Sequence, residues 1–244
     1  MNVGTSDNDS RGEAGPAPAE LGQDRKLRVW DVPTRLFHWC VVSLVVVAWL
    51  IVGDEGWKLT VHTVAGYCLF VAIVFRLGWG VIGSTHSRFA DFVRPWSVVR
   101  DYTRQLARRA PPNYIGHNPL GGWSVVVLLV ALATIVATGL FSGNKGGEPL
   151  GPLAHLVSAD IARVAKEVHE STWGILQLLI VVHLGGVFTH WALKGENLVR
   201  SMWTGDKDVT VGTVGEAGTL APAWRAVLTV AVAAGLVLLV VNLP

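Results

Sequence analysis

The sequence is short of charge, short of cysteine, and empty of compact catalytic signatures. Asp, Glu, Lys and Arg make up 16% of its 244 residues, where soluble domains carry about 25%. That scarcity excludes a disordered or collagen-like chain and argues against a soluble sandwich. The net charge is only +2, and no basic stretch sits on a soluble segment, so no nucleic-acid partner is expected. The two cysteines, Cys40 and Cys68, both lie in apolar runs. They cannot build a disulfide framework, and no Cys-x-x-Cys-His is present to attach a c-type haem. His-Glu-x-x-His, phosphate loops and dinucleotide glycine patterns are missing, and nothing supports Ser/His/Asp catalysis.

What the chain does have is apolar length. Hydrophobic residues reach 51%, and there are 11 tryptophans, a residue that favours membrane interfaces. Five apolar runs stand out: Leu36 to Val52, Leu59 to Phe75 with apolar character resuming after Arg76 as far as Gly83, Leu120 to Ser142, Ser171 to Leu193, and Ala226 to Pro244. About 20 such residues span a bilayer as a helix. Backbone groups in lipid must bond within their own segment, so helices are expected and strands are not. Residues 1–24 form a polar tail with a Pro-Ala run, expected to be disordered and cytoplasmic. It has no apolar core region and does not read as a signal peptide.

Lys and Arg set the orientation. Fourteen lie at 25–35 just before the first run, in the second-to-third loop and in the fourth-to-fifth loop, against four on the other side. The N-terminus is therefore expected in the cytoplasm and Pro244 outside, with the protein multi-pass in a bacterial inner membrane. The loop at roughly 84–119 is arginine-rich. That fits a topology signal with lipid headgroup contact, or a docking surface for a cytoplasmic partner.

The histidines carry the chemistry. An imidazole inside a membrane span is expensive and commonly functional. His169 and His183 are 14 residues apart, which is nearly four helical turns, so both face one way about 21 Å apart. Two sites stacked on one helix face suit two haems, each held by two axial imidazoles. Depth then selects partners. His38 is near the cytoplasmic start of the first run, and His62 near the outer start of the second. His169 is expected at the outer start of the fourth run, with His183 more than halfway back. The expected pairs are His38 with His183 for the cytoplasmic-side iron, and His62 with His169 for the outer-side iron.

Arg76 is also 14 residues from His62. Either it faces a haem propionate or it snorkels to the interface. Gly66, Gly185 and Gly186 near the histidines would let a macrocycle approach, or would serve helix packing alone. His190 could replace His183 as ligand, though its spacing from His169 puts it near the membrane surface. His86, His117 and His155 fall between runs and are expected at the surface. Trp39, Trp57, Tyr67 and Trp79 could wall a quinone pocket or anchor at the interface.

The chain resembles the bacterial cytochrome b561 and nickel–iron hydrogenase b-type cytochrome family. The resemblance rests on Val29-Trp-Asp-Val-Pro-Thr-Arg-Leu-Phe-His38-Trp39, then His62-Thr-Val-Ala-Gly66-Tyr67, Arg76-Leu-Gly-Trp-Gly80, and Gly83 through Arg88-Phe89. Gly116-His-Asn-Pro-Leu-Gly121 follows, then His169, His183, and Glu196-Asn-Leu-Val-Arg-Ser-Met-Trp-Thr-Gly205-Asp-Lys207. It covers about residues 28–207. It implies an all-α membrane four-helix bundle over 25–207 holding two haem b groups on His38, His62, His169 and His183. Such proteins pass electrons between quinone and an extrinsic redox subunit or c-type cytochrome. Residues 208–244, a linker and a fifth C-terminal transmembrane helix, lie outside that pattern.

Three functions remain open from sequence. The first is a di-haem subunit linking the quinone pool to a hydrogenase, dehydrogenase or c-type cytochrome. The second is a stand-alone membrane oxidoreductase acting on a small oxidant or reductant such as superoxide or ferric iron. The third is a haem-free transporter or structural subunit.

Overall fold

The structure is a computed structural model, and it describes residues 25–244 except 54, 145, 147 and 211. The tail at 1–24, expected to be disordered, lies outside the described residues, as does Lys145.

Among the described residues, five helices are long and apolar enough to cross a membrane. They are α1 (Val32–Leu50), α2 (Gly56–Ile82), α5 (Pro119–Leu140), α6 (Ala159–Lys194) and α8 (Ala223–Val241). Each falls on one of the five apolar runs. Short helices connect them at the basic end: α3 (Phe89–Phe92), α4 (Trp96–Ala107) and α7 (Leu198–Thr204). A two-stranded antiparallel sheet supplements the helices. β1 (Arg25–Arg28) pairs with β2 (Asp206–Val209), Arg28 opposite Asp206 and Lys26 opposite Asp208. This clasp joins the chain just before the four-helix unit to the chain just after it.

Local chemistry sets the helix starts. Asp31 precedes α1 and accepts from the Thr34 N–H at 2.7 Å. Asn118 and Pro119 open α5, with Asn118 Oδ1 accepting from the Gly121 N–H at 2.8 Å. Such a cap is worth about 1 kcal/mol, and proline is tolerated in the first turn because its missing N–H has no partner there anyway. Asp31 also reaches sideways: its second carboxylate oxygen accepts from Trp79 Nε1 at 3.0 Å and Ser87 Oγ at 3.1 Å. One buried carboxylate thereby ties the start of α1 to the end of α2.

The bundle core is made by Leu69 and Ile73 of α2, Ala131, Leu132 and Val136 of α5, and Leu176 of α6, with Val41, Leu44 and Val45 of α1 against them. α8 packs on the outer face of α2, where Ala233 is buried with Phe75 and Trp79. The turn between α1 and α2 and the connection 141–158 close the opposite end.

α6 differs from expectation in length. It begins at Ala159, twelve residues before the apolar run, and spans 36 residues, about 54 Å at 1.5 Å per residue. The hydrocarbon layer is about 30 Å thick, so α6 projects beyond it. Its first turns carry charge stabilised along the helix, with Arg163 donating to Asp160 at 2.7 Å and Lys166 4.0 Å from Glu170. His169 consequently stands inside α6 rather than at its start.

Candidate functional site

Near the end of the bundle opposite the clasp, α2 and α6 bring His62 and His169 together, ring centres 6.0 Å apart. Each ring is held from behind. His62 Nδ1 lies 3.0 Å from the Ala48 carbonyl of α1, and His169 Nδ1 lies 2.7 Å from the Ile135 carbonyl of α5. A carbonyl only accepts, so both Nδ1 atoms carry the proton and both Nε2 atoms keep a free lone pair. This is how proteins fix a metal-binding imidazole in its tautomer and orientation. Metal–imidazole bonds of about 2 Å on each side are compatible with the ring separation. The two histidines line a cavity of about 280 Å³ with Gly66, Tyr67, Trp173 and Leu176. Gly66 has nothing within 4 Å of where a Cβ would stand, so a flat group meets no side chain there.

At the basic end, His38 of α1 and His183 of α6 are near enough to interact electrostatically. His38 Nδ1 is buried without a hydrogen-bond partner. Gly185 and Gly186 beside His183 also face open space. Arg76 of α2 is only 2% exposed. Its guanidinium lies on the rings of Phe89 and Phe92, 4.9 and 5.5 Å from their centres, and its Nη1 is buried without a hydrogen bond. Asp31 is its electrostatic neighbour, but the Asp31 oxygens already accept from Thr34, Trp79 and Ser87. A buried cation without an ion pair is costly, and the cationic aromatic contacts offset only part of that cost. Paired imidazoles, open glycine faces and unpartnered buried nitrogens fit a haem and its carboxylates. Among the described residues no cluster of three or more His, Cys, Asp or Glu could hold a bare metal ion.

The sequence profile of prokaryotic cytochrome b561 matches residues 29–205. The chain belongs to that family. A probable Ni/Fe-hydrogenase B-type cytochrome subunit of Bradyrhizobium diazoefficiens is 24% identical over 239 residues, covering 80% of this chain and 95% of the relative. The corresponding protein of Rhizobium leguminosarum bv. viciae is 22% identical, covering 73% of this chain and 87% of its own. A probable Ni/Fe-hydrogenase 1 B-type cytochrome subunit of Escherichia coli K12 is 26% identical over 158 residues, 53% of this chain and 66% of the relative. No solved structure matches. This b561 family member is an all-α, multi-pass, electron-transfer membrane cytochrome, and haem b is the group a b-type cytochrome carries. The family match ends at residue 205, so α8 lies beyond it.

The remaining histidines of this cytochrome sort differently from the sequence expectation. Both nitrogens of His190, the alternative to His183, have protein partners. Its Nδ1 is 3.1 Å from the Gly186 carbonyl, while Nε2 accepts from Asn118 Nδ2 at 2.9 Å, with the Tyr102 hydroxyl at 3.2 Å. His190 is buried and knits α4, α5 and α6 together. Burial raises the Tyr102 hydroxyl pKa to about 12, with Tyr114 and Glu196 adding to it.

His86 and His117, expected at the surface, are drawn inward, His86 fully and His117 in part. His86 is 6% exposed and pairs through Nδ1 with Asp91 at 3.1 Å. His117 lies between Trp30 and Phe92, each ring centre 4.6 Å away, and its Nδ1 is buried without a partner. Burial first, then the positive charge of Arg76 and Lys207 and the neighbouring His86 and His183, push the His117 pKa down to about 3. Only His155 is exposed as expected. What hid His86 and His117 is that Trp30, Phe92 and residues 214–219 reach them from distant parts of the chain.

The arginine-rich loop is not loose either. α4 turns Val99 and Tyr102 inward, while Arg100 and Arg104 point out beside Asp101.

Proposed function

We propose that this cytochrome is the di-haem subunit of a bacterial inner-membrane redox complex, passing electrons between the quinone pool and an extrinsic redox subunit such as a hydrogenase. The relatives named as Ni/Fe-hydrogenase B-type cytochrome subunits support the choice of partner. The observation that carries the reading is the meeting of His62 with His169, ring centres 6.0 Å apart, with His183 further along α6 and His38 of α1 under its electrostatic influence. In it, His62 and His169 hold one haem b, and His38 and His183 hold the other. Haem supplies a one-electron centre at each level.

The protein's own groups do the rest. The Ala48 and Ile135 carbonyls orient the His62 and His169 rings. Arg76 offers its guanidinium to a propionate at the His38–His183 level. The apolar helices Leu69–Leu176 line between the levels exclude water. The excess of Lys and Arg at the clasp end supports a cytoplasmic position for that end and for the N-terminus. A pyridine haemochrome assay on fully loaded purified protein should give two haem b per chain. One haem, or none, overturns the reading.

A further inference from the structure

Arg76 is not the only unpartnered buried donor at the basic end. His117 sits in the segment leading into α5, and its Nδ1 is buried without a hydrogen bond. Both residues pack on the same ring: Phe92 is 5.5 Å from the Arg76 guanidinium and 4.6 Å from the His117 ring centre. They reach it from opposite directions, Arg76 from α2 and His117 from the turn before α5. His183 is close enough to His117 to influence it electrostatically. Two donors from separate elements thus meet at one aromatic ring, within the electrostatic reach of His183. Among the described residues no carboxylate bonds to either of them, and Asp31, the electrostatic neighbour of Arg76, is already engaged by Thr34, Trp79 and Ser87. A buried polar atom left without a partner costs about 1–3 kcal/mol. A cation next to a neutral N–H donor is a setting for an anionic oxygen pair, with one strong charged contact and one directional hydrogen bond.

We propose that His117 is a haem-positioning residue: its Nδ1–H donates to a propionate of the haem held by His38 and His183, beside the Arg76 guanidinium. This rests on the two-haem reading above. Trp30 and Phe92 each pack a ring 4.6 Å from the imidazole centre. Asn118, next in the chain, is fixed by Gly121 and His190, which holds the His117 backbone in register with α5 and α6.

The test compares His117→Leu and His117→Asn with wild type, using purified haem-loaded protein in detergent. Two readouts are taken: the propionate-bending mode in resonance Raman, and the midpoint potential of each haem. Leucine removes the donor, leaving the propionate charge less compensated and the ferric form favoured. The expected result is a shifted bending mode and a lowered potential for one haem only, that of His38 and His183. Asparagine keeps a short N–H donor and should stay near wild type in both readouts. An unchanged bending mode in His117→Leu overturns the proposal. So does a displacement in His117→Asn as large as in leucine, because that marks packing rather than donation. If His117→Leu does not retain haem, His117→Phe takes its place as the donor-free variant and is compared with His117→Asn on the same criteria. Wild-type protein lacking the His38–His183 haem fails the two-haem reading itself, and takes this inference with it before any variant is compared.

Discussion

His169 comes close against Gly139: a Cβ added to that glycine would stand 3.1 Å from His169 Cε1 and 3.2 Å from Nδ1. The same ring bonds to the Ile135 carbonyl one turn earlier on α5. α5 therefore supplies both the acceptor that turns the ring and the gap that admits it.

Enlarging Gly139 should disturb one haem and spare the other. Gly139→Leu must push the ring off the helix and break its bond to Ile135, whereas Gly139→Ala asks for only a few tenths of an ångström. We expect the leucine variant to lose the His62–His169 haem largely, with the alanine variant near full loading. Haem stoichiometry with redox titration reads the result, and equal loss of both haems would contradict it.

Histidine replacements should fall into two phenotypes. His38→Ala and His183→Ala should each remove the haem at the clasp end, and His62→Ala and His169→Ala the other. Electron paramagnetic resonance of the oxidised variants distinguishes the two low-spin signals. The same signal vanishing in His38→Ala and His62→Ala would refute the pairing.

Arg76→Leu should lower the midpoint potential of the His38–His183 haem more than that of its neighbour. A guanidinium beside a propionate offsets negative charge that otherwise favours ferric iron. A loss worth one factor of ten in the redox equilibrium is about 59 mV for a single electron, and the shift should be of that order. Spectroscopic titration of protein retaining both haems measures it. Equal shifts in the two haems would mean that Arg76 acts without a propionate.

Alkaline melts should expose Tyr102. Its pKa in the fold, about 12, exceeds the ordinary value near 10. Between those values the folded state keeps a proton that the unfolded state has lost, so this contribution is complete below pH 10 and disappears as pH rises to 12. Tyr102→Phe should therefore lose less stability over that range than wild type. Parallel melting curves for the two proteins would count against it.

Much of this architecture was legible because lipid imposes a length. The five spans follow from apolar runs, and the approach of His62 to His169 from antiparallel depth. The polar first turns of α6 were not legible, since hydropathy reports contact with lipid and stops where charge begins. Helix continues there because Ser158 caps it and Asp160, Arg163, Lys166 and Glu170 pair along it. The setting of His117 and His190 was hidden for another reason. Each is enclosed by residues tens of positions away, Trp30 and Phe92 for one, Tyr102 and Asn118 for the other. The β1–β2 pairing joins charged segments with no apolar alternation to announce a strand.

Because His169 and His183 ride on one unbroken helix, the interval between the two levels is ruled like marks on a single rod. Bundle breathing can slide α1 or α2 against α6, loosening a grip at either level, yet the marks keep their separation and nearly common bearing. An inserted residue between them would turn one mark about 100° away from the other. Substitutions leave the ruler intact; only a change in its length resets the gauge.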